Sequence, residues 1–306
     1  MKRAVAVVVL LLASTSAAQA RALRPEIAIT IDDLPVHAPY PPGVTPTQVN
    51  EQMIAALKAA HVPAIGFVNG IGTEQHPETL RVLPKWRTSG FLLGNHTWSH
   101  PHLSEITISQ FENELMKGDP LLSRLGDGSD WRWFRYPFLD EGKDEAQRAA
   151  ARGVLAKHGY RVADVTTSFS DWAFTPAWAR CNEAGDKAGI AELERMYLGA
   201  VKESISVARA TAHALYGRDI PYVLLMHVSA MSAHMMPQVI RTYREAGFRF
   251  VTIGQAESDP VYRADIDLSL PGRVPDWKLA QQKGVKLPQA TDLTAKLNAI
   301  CTAPKR

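Results

Sequence analysis

The sequence predicts an α/β fold, a distorted (β/α) barrel of about seven parallel strands in a single domain. Three observations carry that expectation. Short apolar runs alternate with longer stretches of helical period from Glu26 to Ile253. Glycines such as Gly90 and Gly159 close the helical stretches before the next apolar run. Polar residues stand at the ends of the apolar runs, at Asp32, Asp33, His96, Arg135 and His227. In barrels of this type chemistry gathers at the C-terminal ends of the strands, so these residues are expected to share one site.

In chain order, residues 26–31 read as a buried strand. Residues 47–60 read as a helix, with Val49, Met53, Ile54 and Leu57 at helical spacing. Residues 64–68 form the next strand, and Pro77 opens a helix that runs to about Thr88. Strands follow at 91–94, 131–135, 161–165, 222–227 and 248–253. Helices are expected between them at 109–125, 141–157, 187–216 and 233–246. From Asp259 the pattern breaks, and five prolines (Pro260, Pro271, Pro275, Pro288, Pro304) suggest an extended wrap with one short helix at 292–300. Residues 21–258 are therefore read as the catalytic domain and 259–306 as an extension packing on it.

Residues 1–20 read as a signal peptide. Lys2 and Arg3 precede an apolar run, and Ala18-Gln19-Ala20 fits small-x-small cleavage. The run is too short to span a bilayer, and no later segment is long and apolar enough. A secreted or periplasmic protein without stable membrane insertion is expected. Removing Lys2 and Arg3 with the leader brings the formal charge from +3 to +1. No basic stripe marks a nucleic-acid partner. The two cysteines, Cys181 and Cys301, suggest one disulfide in an oxidising compartment.

His96-Thr97-Trp98-Ser99-His100 carries two histidines four apart, a spacing that puts both rings on one face of a helical turn and within reach of one metal. Thr97 stands where a metalloprotease has its Glu, so a general base must come from elsewhere. His102 is a rival ligand beyond Pro101. Asp32 and Asp33 end an apolar strand, where paired carboxylates are costly unless matched by a cation. One could complete a His-His-Asp site and the other take a proton from water. A helix cap or turn pair is the plainer alternative. Arg135 could hold a carboxylate, and His227 ends a strongly apolar strand as either an acid or a core histidine.

In this order and on this strand rhythm, the motifs resemble polysaccharide deacetylases with the NodB-homology domain, the fourth carbohydrate esterase family. The resemblance runs from about Glu26 to Ile253. It implies a metal site of Asp33, His96 and His100, with zinc as the expected ion. It implies Asp32 as base, Arg135 as its orienting partner, and His227 as general acid. Tyr136, in the Arg135-Tyr136-Pro137 motif, and Leu225, in Leu-x-His, would face substrate. Asp171-Trp172 matches the Asp-Trp motif, with Trp172 walling the sugar site and Asp171 tuning the acid; a core aromatic is the alternative for Trp172. Two departures stand out: Leu34-Pro35 replaces the family's Gly after Asp-Asp, and Ser168 stands where an Asp usually precedes Asp-Trp.

The resemblance implies a metal-dependent hydrolase that removes N-acetyl groups from amino sugars of a peptidoglycan- or chitin-like polymer or oligosaccharide. An O-acetyl esterase on xylan-like polysaccharide, an inactive carbohydrate-binding relative and a hydrolase of non-sugar amides remain alternatives.

Overall fold

The computed structural model describes residues 24–126, 128 and 130–302. The expected signal segment lies outside them. Among the described residues seven strands form one sheet: β1 (Glu26–Leu34), β2 (Ala64–Val68), β3 (Leu92–Asn95), β4 (Trp133–Phe134), β5 (Arg161–Val162), β6 (Tyr222–His227) and β7 (Arg249–Phe250). All pairings are parallel. The order is β5-β4-β3-β2-β1-β6, with β7 against the start of β1. The chain leaving β5 then reaches the outer edge of β6, where Leu225 N donates to Thr167 O at 3.0 Å. The sheet thus curls into a half-barrel, as the alternating pattern predicts.

β1 lies at the centre because it can. Ile27, Ile29, Ile31 and Leu34 are all buried, and a strand with neighbours on both edges and cover on both faces reads as a near-continuous apolar run. The helices start and stop on local signals. Pro46–Ala59 begins on a capping box of Thr45 and Gln48, and Ile108–Leu125 on one of Thr107 and Gln110. The 30-residue helix Lys187–Tyr216 ends on Gly217, whose φ of 71° suits a residue without a Cβ.

Several expectations need correction. The strands expected at 131–135, 161–165 and 248–253 are the two-residue strands β4, β5 and β7, because the ladders β3–β4, β4–β5 and β1–β7 hold only one or two residue pairs each. The helix expected from Pro77 is a 3₁₀ turn, Pro77–Arg81, running into an α-helix, Val82–Thr88. Helices at Ile71–Gln75 and Phe174–Glu183 were not anticipated. The C-terminal segment carries Asp276–Lys283 as well as the expected short helix, here Thr294–Ala299.

That last helix packs on Phe174–Glu183. Arg180 Nη2 donates to the carbonyls of Leu297 and Ile300 at 2.7 and 3.2 Å. Cys181 and Cys301 are bonded as the even count suggests, with Cα atoms 5.1 Å apart. Among the described residues no helix is long and apolar enough to cross a membrane.

Candidate active site

The C-terminal ends of β1, β3, β4 and β6 open into one cavity of about 420 Å³. Asp32, Asp33, His96, His100, Tyr136, Trp172, Leu225 and His227 line it. Arg135 and Asp171 stand behind it, each buried against a residue of the lining. All ten residues singled out in the sequence therefore meet at one place.

Adjacent strand residues normally face opposite sides, so Asp32 and Asp33 should not share a pocket. They do because the β1–β2 register slips between Ile31 and Leu34, and Asp33 takes a φ of 64°. Such irregularities re-aim side chains beside active sites. Asp tolerates this left-handed conformation better than a bulky residue would.

His96 and His100 are not on a helix, contrary to the spacing argument. Residues 96–102 form a loop in which Thr97 and His100 both have positive φ, of 63° and 60°. Side chains hold this loop: Thr97 N donates to Asn95 Oδ1 at 2.8 Å, and His100 N to Thr97 Oγ1 at 3.2 Å. His96 Nδ1 lies 2.7 Å from the Arg135 carbonyl, which can only accept, so the ring proton is on Nδ1 and Nε2 carries a lone pair. The Nε2 atoms of His96 and His100 lie 3.6 and 3.4 Å from Asp33 Oδ1. Burial lowers both imidazoles to about 4, so both are neutral near pH 7. Burial works to raise Asp33, yet the hydrogen bond from His37 and its electrostatic interaction with the surrounding imidazoles hold it well below the usual carboxylate range.

The Nε2 lone pair of His96, the Nε2 atom of a neutral His100 and a carboxylate oxygen thus converge. The three ligand atoms lie within 4.8 Å of one another, and Asp33 Oδ1 is buried without a hydrogen-bond partner. A donor set of this kind fits a divalent cation, and its His-His-carboxylate chemistry suits zinc. His102 stays outside the trio. Its ring stacks on Phe138 at 3.7 Å and its Nδ1 lies 3.4 Å from Asp140.

The other half of the pocket rests on strands. Asp32 of β1 is directly in register with His227 of β6. Arg135 Nη1 donates to Asp32 Oδ2 at 3.3 Å, while its Nε and Nη2 are taken by Ala163 O and Thr30 Oγ1. Burial raises Asp32 to about 6, with Arg135 opposing. Asp32 Oδ1 has no hydrogen-bond partner. His227 Nδ1 is 2.8 Å from Asp171 Oδ1, and its backbone N–H donates to Oδ2 of the same carboxylate at 2.8 Å. Burial would lower His227, but the charge and hydrogen bond of Asp171 outweigh it and raise it to about 9. The core-histidine alternative does not hold, since His227 borders the cavity.

Trp172 is 54% exposed, which excludes a core aromatic. Leu225 forms part of the apolar wall. Sequence reasoning missed three lining residues. His37 follows the Leu34-Pro35 departure, and its Nδ1 lies 2.7 Å from Asp33 Oδ2; the departure was the available signal. Phe138 and Leu139 sit exposed at the mouth, both with positive φ. Consecutive left-handed residues cannot be read from residue type.

A sequence model described as polysaccharide deacetylase matches residues 20–164. Similar curated proteins include the peptidoglycan-N-acetylglucosamine deacetylase of Bacillus cereus, 27% identical over 113 residues, which are 37% of this chain and 36% of that protein. Chitin deacetylase of Colletotrichum lindemuthianum is 25% identical over 240 residues, 76% of this chain and 79% of that protein. The match therefore spans about a third of the first relative and most of the second. Among solved structures, a family 4 carbohydrate esterase pseudoenzyme from Bacillus anthracis aligns with a TM-score of 0.54 at 15% identity, covering 77% of this chain and 66% of that one. The T48 deacetylase, solved with substrate, aligns with a TM-score of 0.51 at 19% identity, covering 77% and 92%. These structural likenesses establish the fold.

Proposed function

We propose that this chain, whose residues 20–164 match the polysaccharide deacetylase model, is a deacetylase of that family, a hydrolase that removes N-acetyl groups from amino sugars of a peptidoglycan- or chitin-like polysaccharide. One observation carries the reading. A carboxylate raised to about 6 and an imidazole raised to about 9 share one pocket beside the trio of Asp33, His96 and His100. Between those values the first is ionised and the second protonated, the pairing of base and acid that amide hydrolysis requires. An amide nitrogen departs only if protonated, so the acid matters more here than for an ester.

Asp33, His96 and His100 would hold a divalent ion, read as zinc, which when bound lowers the pKa of water and polarises a carbonyl. Asp32 takes the proton from the attacking water through its unpartnered Oδ1. Arg135 fixes the other oxygen and keeps the base oriented. A backbone N–H near Tyr136 donates to the developing oxyanion. His227 delivers its Nε2 proton to the leaving sugar nitrogen, while Asp171 holds the ring by Nδ1. Leu225 meets the acetyl methyl, and Trp172 walls the sugar. We read residues 21–258 as the catalytic domain and 259–306 as its extension. Export to the periplasm or exterior is the matching location, supported by the leader-like start and the Cys181–Cys301 bond.

The test is acetate release by the zinc-loaded full chain from chitooligosaccharides, peptidoglycan fragments and acetylated xylan. Release from the N-acetylated substrates is expected. Release from xylan alone would replace the reading with an O-acetyl esterase, and none from any substrate would make the protein a binding relative.

A further inference from the structure

Asp33 presents Oδ1 to the histidine pair only while its carboxylate keeps one orientation, because rotation about the Cβ–Cγ bond exchanges the two oxygens. Among the described residues one hydrogen bond reaches this carboxylate. His37 Nδ1 lies 2.7 Å from Asp33 Oδ2, and a carboxylate oxygen accepts, so the imidazole donates. The other oxygen, Oδ1, has no hydrogen-bond partner and stands 3.6 and 3.4 Å from the Nε2 atoms of His96 and His100. The bond from His37 thus sorts the two oxygens. It occupies one and leaves the other facing the histidines.

The loop that carries His37 is itself fixed. Val36 N donates to Asp33 O at 2.9 Å, closing a turn that returns His37 to the carboxylate four residues earlier. Leu34 O accepts from Asn69 N at 2.9 Å. Asn50, fully buried, donates through Nδ2 to Pro35 O at 2.8 Å, and its Oδ1 accepts from Trp86 Nε1 at 2.9 Å. His37 N donates to Tyr40 Oη at 2.9 Å. The imidazole also packs against the ring of His227, with centroids 4.9 Å apart. A group held on both backbone and ring can in turn hold a ligand in place. His37 lies just beyond the Leu34-Pro35 departure, outside the motifs that carry the family resemblance.

We propose that His37 is a positioning residue for the metal site: it holds Asp33 with Oδ1 toward His96 and His100, and so sets the affinity of the trio for a divalent ion. The inference rests on the reading that Asp33, His96 and His100 hold zinc. Ligating carboxylates are oriented by hydrogen-bond partners of this kind, and loss of one typically weakens metal affinity by about 10–100-fold. The role requires a donor at the place of Nδ1. It does not require the aromatic ring as such.

The experiment measures zinc affinity of the full chain by chelator competition, for the wild type, His37→Phe and His37→Asn. Phe keeps a ring beside His227 and removes the donor. Asn removes the ring and keeps an N–H donor near the place of Nδ1. His37→Phe is expected to weaken zinc binding by about 10–100-fold, and His37→Asn to recover most of that loss. Should the larger ring of Phe keep the chain from folding, His37→Ala removes the same donor and is expected to show the same loss. A folded variant without the donor that binds zinc as the wild type does overturns the assignment. So does a loss in His37→Asn as large as that in His37→Phe, which would make the ring's packing the feature that counts. A wild type that binds no zinc overturns the assignment together with the metal reading. Acetate release is scored separately: zinc binding that follows the expected order without release from any substrate would sink the proposed function and leave the role of His37 standing.

Discussion

The two halves of the pocket are built by different means. Asp33, His96 and His100 hang on irregular backbone, a register slip and a loop with two left-handed residues. Asp32 and His227 sit in register on neighbouring strands, each backed by a buried partner of opposite charge, Arg135 and Asp171. Buried charges require such partners. The loop-borne half has no internal cation, and Asp33 Oδ1 is left without a donor. In the strand-borne half the charges are matched from within, while Asp32 Oδ1 likewise has no hydrogen-bond partner. One half thus offers convergent ligand atoms, and the other two titratable groups held by buried partners.

The sharpest way to break this division is His96→Ala. Bound zinc, measured by mass spectrometry of the purified protein, should fall to background together with activity. Full occupancy would erase the distinction between the halves. His227→Ala should do the reverse, lowering kcat by about 10²–10⁴-fold with zinc content unchanged. An activated aryl acetate, whose leaving group departs unprotonated, should suffer far less; loss of zinc in this variant would make His227 a ligand. Asp171→Asn sharpens the division through pH. His227 must carry its proton to act, so kcat should fall as pH rises through about 9. Removing the Asp171 charge takes away the largest influence opposing burial, so that falling limb should move to lower pH. An unmoved limb would detach His227 from it. The smallest effect is expected from His102→Ala, because the ring stacks on Phe138 outside the trio. Its zinc affinity, measured by chelator competition, should match the wild type.

The same division marks what could be read in the sequence. Strand ends were legible because apolar runs stop abruptly at Asp32 and His227, and a parallel sheet collects such ends on one side. The histidine pair was found for a reason the structure does not keep. Its spacing suits a helical turn, yet a loop held by Asn95 and Thr97 side chains brings the rings together. Hydrogen bonds of that kind leave no periodic trace. His37 is not marked in the sequence because its position depends on the conformation of the Leu34-Pro35 loop, nor is the short helix Phe174–Glu183, which continues directly from the 3₁₀ turn Asp171–Ala173 without a capping side chain of its own. Two-residue strands such as β4 and β5 are set by their neighbours' ladders and not by their own residues.

The central position of β1 has a consequence for the order in which a growing chain can assemble. Its pairing with β2 becomes available within some forty residues, but the opposite edge waits for β6: Thr30 Oγ1 donates to Leu224 O, 194 positions later. Through that interval a nascent chain carries its central strand with one side open, an edge that invites wrong partners, and parallel pairing over such distances is slow. Asp33, His96 and His100 have all been synthesised by residue 100, while His227 arrives only with the strand that closes the gap. The pairing of β1 with β6 therefore also brings Asp32 and His227 side by side, so this pair is assembled after Asp33, His96 and His100 have all been made, by the same event that covers most of the exposed edge.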